Sequence, residues 1–188
     1  MGLKKTKSIT HQGKRVSEIL AAHELFFSGK QGGARADLSG ADLSGADLGS
    51  ANLSGAILRG ANLEGADLRR AQLSSADLSG ANLRNADLRN SDLTEASLAG
   101  ANLEQAQASG IEFFRRDLSH ANFKRALLRN TNFRLANVRG ARFSGADMGV
   151  AILRETDLTG ADLSGVDLST TLLPRDYAPA AKAEGKSA

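Results

Sequence analysis

One five-residue pattern runs from Ala36 to Arg175 without a change of phase. Taking the Leu of "ADLSG" as the centre of a unit, centres fall at 38, 43, 48 and every fifth residue to 173, twenty-eight units in all. Every centre is apolar. Leu dominates, with Phe at 113, 123, 133 and 143, and Ala108, Val138 and Met148 as the exceptions. Two residues before the centre stands Ala or another small residue in nearly every unit. Five is neither the 3.6 of a helix nor a multiple of the strand's two. It reads as three extended residues followed by a two-residue corner. Extended residues two apart point the same way, so the small residue and the centre face inward together. The Asp or Asn between them faces outward. A chain that turns a corner every five residues must wind around itself.

The corner glycines set the number of sides. With the last residue of each unit sorted into four columns, Gly fills six of seven places in the first column, at 40, 60, 80, 100, 140 and 160. The second column has four, and the remaining two have one each. Sorting by three or by five flattens the contrast. Corners that need positive φ attract Gly, which gives four sides, twenty residues per coil and seven coils. At a strand spacing of ~4.8 Å, seven coils make a rod ~34 Å long. Like then stacks on like. Asn62, Asn82, Asn102 and Asn122 form an amide ladder along the second side. Beside it Glu64, Arg84, Glu104 and Lys124 alternate in sign.

This pattern of a small residue, Asp or Asn, Leu or Phe and two polar or small residues resembles the pentapeptide repeat family. The resemblance covers about Ala36 to Arg175. It implies an all-β solenoid, a right-handed quadrilateral parallel β-helix, in agreement with the glycine count. An open solenoid end exposes apolar side chains and backbone groups, so a cap is expected. Residues 16–29 supply one, as an amphipathic helix with Ser17 as N-cap and Gly29 as stop. Its apolar face is Val16, Ile19, Leu20, His23, Phe26 and Phe27; a partner-binding helix is the alternative. Residues 30–35 read as a linker. Residues 1–15, with Lys4, Lys5, Lys7, Lys14 and Arg15, read as a basic disordered tail, and residues 176–188 as a second disordered tail.

Little in the sequence offers chemistry. There is no Cys, so disulfides, thiolate metal sites and cysteine nucleophiles are excluded. The histidines His11, His23 and His120 lie at no metal-ligand spacing. The Asp and Ser residues recur because of the period, and the repeated Gly residues serve corners, with no Lys-Ser/Thr after them to hold phosphate. No catalytic residue, metal, cofactor or small-molecule substrate is expected, and the chain does not read as an enzyme. No apolar run approaches the ~20 residues a membrane helix needs, and the basic N-terminus lacks the apolar core of a secretory signal. The expected location is the cytoplasm.

What remains to be recognised is the surface. Between 36 and 105 there are ten acidic and five basic residues; between 106 and 146, two and eight; between 147 and 173, five and one. The basic band comprises Arg115, Arg116, Lys124, Arg125, Arg129, Arg134, Arg139 and Arg142, spread over all four sides as a collar. With Phe114 these are the candidate partner contacts. The first reading is a non-enzymatic scaffold that presents a rigid, charge-banded rod to another protein. Quinolone-resistance members of the family imply an alternative, a DNA mimic that occupies the DNA site of gyrase. A mimic needs continuous negative charge, which the collar interrupts. Direct binding of nucleic acid or an anionic membrane through the basic tail and collar is a further alternative.

The repeat falters once, at "QASGIEFFRRDLSHANF". Ala108 takes a centre usually filled by Leu, while Ile111 takes an inward position usually filled by Ala, and Phe113 takes the next centre. Phe113 should stack on Phe133, and Phe123 on Phe143, so that volume lost on one side returns on its neighbour. Arg116 also takes an inward position, where an unpaired guanidinium is costly. Either a bulge turns it outward or it pairs with Glu112 or Asp117.

Overall fold

The structure, a computed structural model, describes residues 2–177. Parallel bridges join nearly every outward mid-side residue to the one twenty positions later, as in Asp37 to Ile57, Asn62 to Asn82 and Asn132 to Ile152. The chain is therefore a four-sided coil of twenty residues per turn. Here the sides are numbered from the one centred on Leu38, with the second centred on Leu43, the third on Leu48 and the fourth on Leu53. Along each side the centre's N–H donates upward and the preceding residue's N–H donates downward. Leu43 N–H reaches the Asn62 carbonyl at 2.7 Å, and Asn62 N–H reaches the Ala41 carbonyl at 2.9 Å.

Each corner is closed within its own coil, as where Ala41 N–H donates to the Leu38 carbonyl at 3.1 Å. Every unit from the one ending at Gly40 to the one ending at Gly165 places its last residue near φ +60°, whether that residue is Gly, Asn85, Glu95, Leu135 or Val150. Gly therefore does not mark the corners that need positive φ, because all of them do. The glycine columns gave the right number of sides through a preference, not a requirement. A Cβ on Gly40, Gly60, Gly80 or Gly100 would meet open space, and within the column only Gly140 is crowded, by the His120 ring at 2.7 Å, so packing does not explain the column as a whole. Holding a branched residue such as Val150 there costs about 1–2 kcal/mol. Burying one Leu centre contributes about 2 kcal/mol, so the period prevails over local preference.

The core is thin and continuous. The inward Ala and Leu rows are buried from Ala36 to Leu153, apart from half-buried Ala51. The phenylalanines stack as the period requires, Phe113 on Phe133 at 5.2 Å and Phe123 on Phe143 at 5.0 Å between ring centroids. Neighbouring columns meet edge to face, Phe123 and Phe133 at 5.9 Å, which is the geometry aromatic quadrupoles favour. Thr131, Thr156 and Thr171 occupy inward positions without leaving a polar group unpaired. Their hydroxyls donate to the carbonyls of Ala108, Phe133 and Met148 at 3.2, 2.7 and 3.1 Å.

At the N-terminal end the structure departs from the sequence reading. Residues 2–15 are not a disordered tail. Strand β1, Lys4–Lys5, pairs in parallel with β4, Ala46–Asp47, in the first coil. It takes the place of a missing coil below and gives the open edge a partner. Its lysines are held there: Lys4 Nζ donates to Ser44 Oγ at 3.1 Å and Lys5 Nζ meets Asp47 at 2.5 Å. Strands β2, Thr10–His11, and β3, Lys14–Arg15, then form a hairpin. Its turn residues Gln12 and Gly13 both have positive φ, 49° and 78°, as a two-residue hairpin turn prefers.

Helix α1 spans Val16–Phe27. It starts one residue before Ser17, which is therefore not the N-cap; Arg15 is, and its backbone N–H donates to Glu18 Oε2 at 3.2 Å. Gly29, at φ +64°, ends it. Val16 and His23 are buried, and Ile19 and Leu20 pack on the core. Phe26 and Phe27 depart from the expected cap face, being 48% and 51% exposed. They pack edge to face on each other at 5.7 Å, and Phe27 on His23 at 5.0 Å, with their outer faces left to solvent. Most of the expected C-terminal tail, 178–188, lies outside the described residues.

Candidate interaction surface

The second side is flat and regularly hydrogen-bonded. Along it the Nδ2 groups of Asn82, Asn102 and Asn122 each donate to the Asn one coil below, at 3.0, 3.3 and 2.9 Å. Asn62 continues the row to Asp42 at 3.2 Å. Each Asn or Asp oxygen also accepts the N–H two residues on, as from Lys124 to Asn122 at 3.1 Å. These side chains are fixed before any partner arrives, so docking on them costs little ordering entropy.

The third side carries the Asp47, Asp67 and Asp87 column over an open crevice of about 530 Å³. Arg69 grips Asp67 through two hydrogen bonds, 2.9 and 2.5 Å, and Arg89 grips Asp87 in the same way, 2.9 and 2.6 Å. The Arg69 hydrogen bond holds the Asp67 carboxyl below its ordinary value. Burial pushes Asp87 up, but the Arg89 hydrogen bonds and charge leave it lowered as well. These carboxylates are each matched by a cation, so the column is a neutralised ladder. Among the described residues no group of His, Cys, Asp and Glu could hold a metal ion, and no helix is long and apolar enough to cross a membrane.

The basic collar resolves into unlike parts. Arg129 meets Asp147 at 3.3 Å, Arg134 meets Glu155 at 2.9 Å and Arg139 meets Asp157 at 3.2 Å. Arg115 lies 5.1 Å over the ring of Phe114, which is half-buried and not the exposed contact its sequence position suggested. Lys124, Arg125 and Arg142 have no ion pair among the described residues. Lys124 and Arg142 lie on the second side, and Arg125 at its corner with the third. Five collar cations are thus without an acid partner among the described residues. Three of them gather at the second side, at the end of the amide ladder, while Arg115 and Arg116 lie on the fourth and first sides. Sequence reasoning missed this because it counted charges along the chain. Once a coil is known to be twenty residues, an acid 18 or 21 positions after an Arg lies within its reach, and that spacing identifies all three pairs.

Arg116 follows neither expected course. Its backbone stays in the regular pattern, with its N–H on the Phe113 carbonyl at 3.0 Å and its carbonyl accepting from Asn137 at 2.9 Å, so there is no bulge. It makes no ion pair among the described residues, and its Nε is buried without a hydrogen-bond partner. The side chain is half-buried. The structure yields elsewhere: the adjacent bridges from Asp92 to Glu112 and from Ser97 to Asp117, which the twenty-residue rule requires, are missing. Apart from them, among the described residues, only the Asp147 to Asp167 bridge at the last coil is missing.

A four-sided parallel coil with five-residue units and a sealed N-terminal end is a quadrilateral β-helix. The pentapeptide repeat model matches residues 36–74, 71–107, 117–149 and 139–173, and the chain belongs to the pentapeptide repeat family. The fold is a right-handed quadrilateral β-helix with a short N-terminal helix. The match skips 108–116, the stretch that holds Ala108, Ile111 and Arg116. Among solved structures, a trypsin-treated variant of QnrB1, a plasmid-mediated fluoroquinolone resistance protein, aligns at 24% identity over 71% of this chain and 77% of its own, with a TM-score of 0.53. HetL of Nostoc sp. strain PCC 7120, involved in heterocyst differentiation regulation, is 29% identical over 76% and 86%, TM-score 0.24. A pentapeptide repeat protein of the Arabidopsis thaliana thylakoid lumen is 34% identical over 60% and 68%, TM-score 0.28. Comparison with curated protein sequences gives no match.

Proposed function

We propose that the protein is a non-enzymatic interaction module whose second side docks against an acidic protein surface. The observation that carries this is the contrast within the collar: three arginines are matched by acids, Arg115 lies over Phe114 and Arg116 is half-buried, while Lys124, Arg125 and Arg142 gather without an acid partner beside a pre-ordered amide ladder. Unmatched charges on a rigid face steer an oppositely charged partner and fix its register. A protein is favoured over nucleic acid because the face offers no stacking aromatics; Phe114 is already covered by Arg115. Two features speak against the DNA-mimic reading. The acidic third side is neutralised by Lys5, Arg69 and Arg89, and the charge along the second side changes sign.

Affinity purification from the native cell should compare the unaltered chain with two triple variants, Lys124→Glu/Arg125→Glu/Arg142→Glu and Arg129→Gln/Arg134→Gln/Arg139→Gln. A protein partner retained at physiological salt by the unaltered chain and the second variant, and lost by the first, is the expected result. Equal retention by both variants would remove the second side as the docking face. Binding of duplex DNA or anionic vesicles by the purified chain at the same salt, without a protein partner, would favour the other reading.

A further inference from the structure

The faltering stretch leaves a mark on the backbone. Among the described residues, no backbone hydrogen bond joins residues 90–98 to residues 109–118. The gap is confined to the fourth side and the middle of the first side of one coil interface; the first side closes again at its corner, where Gly100 N–H donates to the Ser119 carbonyl at 2.8 Å. On the third side the same interface is closed by Leu88 N–H to the Gln107 carbonyl at 2.8 Å. On the second side it is closed by Leu103 N–H to the Asn122 carbonyl at 2.7 Å. Both strands that face the gap are bonded on their far edges. Leu73 and Leu78 donate to Asp92 and Ser97 at 2.8 Å each, and Asn132 and Asn137 donate to Ile111 and Arg116 at 3.1 and 2.9 Å. Only the facing edges are unpaired.

The cause is volume. The fourth and first sides carry inward residues Ile111 and Arg116, where the period calls for Ala. A thin, close-packed core has no spare room, and overpacking it costs about 1–3 kcal/mol per site. A ladder hydrogen bond contributes only about 0.5–1.5 kcal/mol net. Opening the ladder on two sides is therefore an available response, and the partnerless Nε of Arg116 lies where that opening occurs. The same segment is the one the pentapeptide repeat model leaves unmatched.

We propose that this seam is a hinge. The coils before it and the coils after it rock about the closed second and third sides, with the fourth and first sides opening and closing. The rod is then two stiff halves with one compliant joint. Its joint lies directly before the coil that carries Lys124 and Arg125. This inference does not depend on which partner the second side binds.

Amide hydrogen exchange on the full chain tests it. The N–H groups of Leu93, Leu98, Glu112 and Asp117 should exchange ~100-fold or more faster than their regular counterparts at Leu73, Leu78, Asn132 and Asn137. In Ile111→Ala/Arg116→Ala the seam amides should slow to the level of the counterparts. Equal protection in the unaltered chain, or fast exchange persisting in a folded double variant, would overturn the hinge. Because the chain has no Cys, spin labels supply a second measurement on the otherwise unaltered rod. Ser79→Cys/Thr159→Cys spans the seam on the first side, and Arg84→Cys/Ser164→Cys spans it on the second, each across four coils or ~19 Å. A broad distance distribution on the first side with a narrow one on the second is expected; two equally narrow distributions would rule the motion out.

Discussion

Arg116 and His23 are the two side chains that the period does not explain, and each makes a measurable claim. Arg116 keeps its Nε out of water without a partner, so replacing it removes a desolvation penalty of about 1–3 kcal/mol and loses no hydrogen bond made by its guanidinium. Arg116→Ala should therefore raise stability by roughly 1 kcal/mol, read as a higher denaturation midpoint at an unchanged slope. A clear fall would mean that the guanidinium has a partner in solution. His23 is fully buried at the top of the cap, where its Nδ1 accepts the Ala36 N–H at 3.0 Å. Burial holds the imidazole below its ordinary value of 6.5, with the nearby Arg35 charge adding to this and the Ser54 backbone opposing it. A proton on Nδ1 would set two donors face to face. The folded chain thus keeps His23 neutral while the unfolded chain takes up a proton as pH falls below about 6.5. Stability is full above that value and declines toward pH 5. The lowered carboxyls of Asp37 and Asp42 act only nearer their ordinary 3.8. Melting temperature should fall between pH 7 and pH 5 in the unaltered chain and stay level in His23→Gln. An unchanged slope in the variant would place the sensitivity elsewhere.

At the scale of elements, the solenoid was legible and the cap only partly so. Twenty-eight units in one phase leave a reader almost no freedom, and the Phe columns met where the period set them. The helix was legible from its apolar spacing, but its start was misplaced. Ser17 has the usual N-cap side chain, whereas the chain uses the Arg15 backbone and Glu18. The N-terminal strand was not legible at all. Lys4 and Lys5 look like solvated tail because their composition is polar, and a two-residue edge strand declares itself only through the coil it pairs with. The candidate interaction surface was half legible: residue types identified the basic band, but which of its charges are paired needed the fold. The cap elements have an energetic role that deletion can measure. Without residues 1–15 the first coil loses the β1 pairing, the Lys5–Asp47 bridge and the cover of Ile9. Stability should fall by about 2–4 kcal/mol, chiefly through lost apolar cover and edge hydrogen bonds. The freed edge should also increase self-association, visible in sedimentation as well as in melting. An equally stable, monomeric truncation would show that α1 alone seals the end.

For the whole molecule, stability is a sum along one dimension, because each coil touches only its neighbours. Cooperativity then depends on every interface between coils being strong enough to pass unfolding along. At the seam two adjacent sides lose both their mid-side ladder bonds and their parallel bridges, which happens at no other interface among the described residues. The coils before it hold Leu63 in a fully buried ladder, and the coils after it hold Phe143, stacked on Phe123. Leu63→Ala should cost about 3 kcal/mol and Phe143→Ala about 4 kcal/mol. If the seam uncouples the halves, each loss stays in its own half. Leu63→Ala then lowers protection before residue 90 and spares the coils after 120, and Phe143→Ala does the reverse. Denaturation of either variant should separate into two transitions, where a uniformly coupled rod of this size would show one. Closing the seam with Ile111→Ala/Arg116→Ala should restore a single transition in the Leu63→Ala background. A single transition in all of these proteins would mean that the closed second and third sides alone keep the rod one cooperative unit.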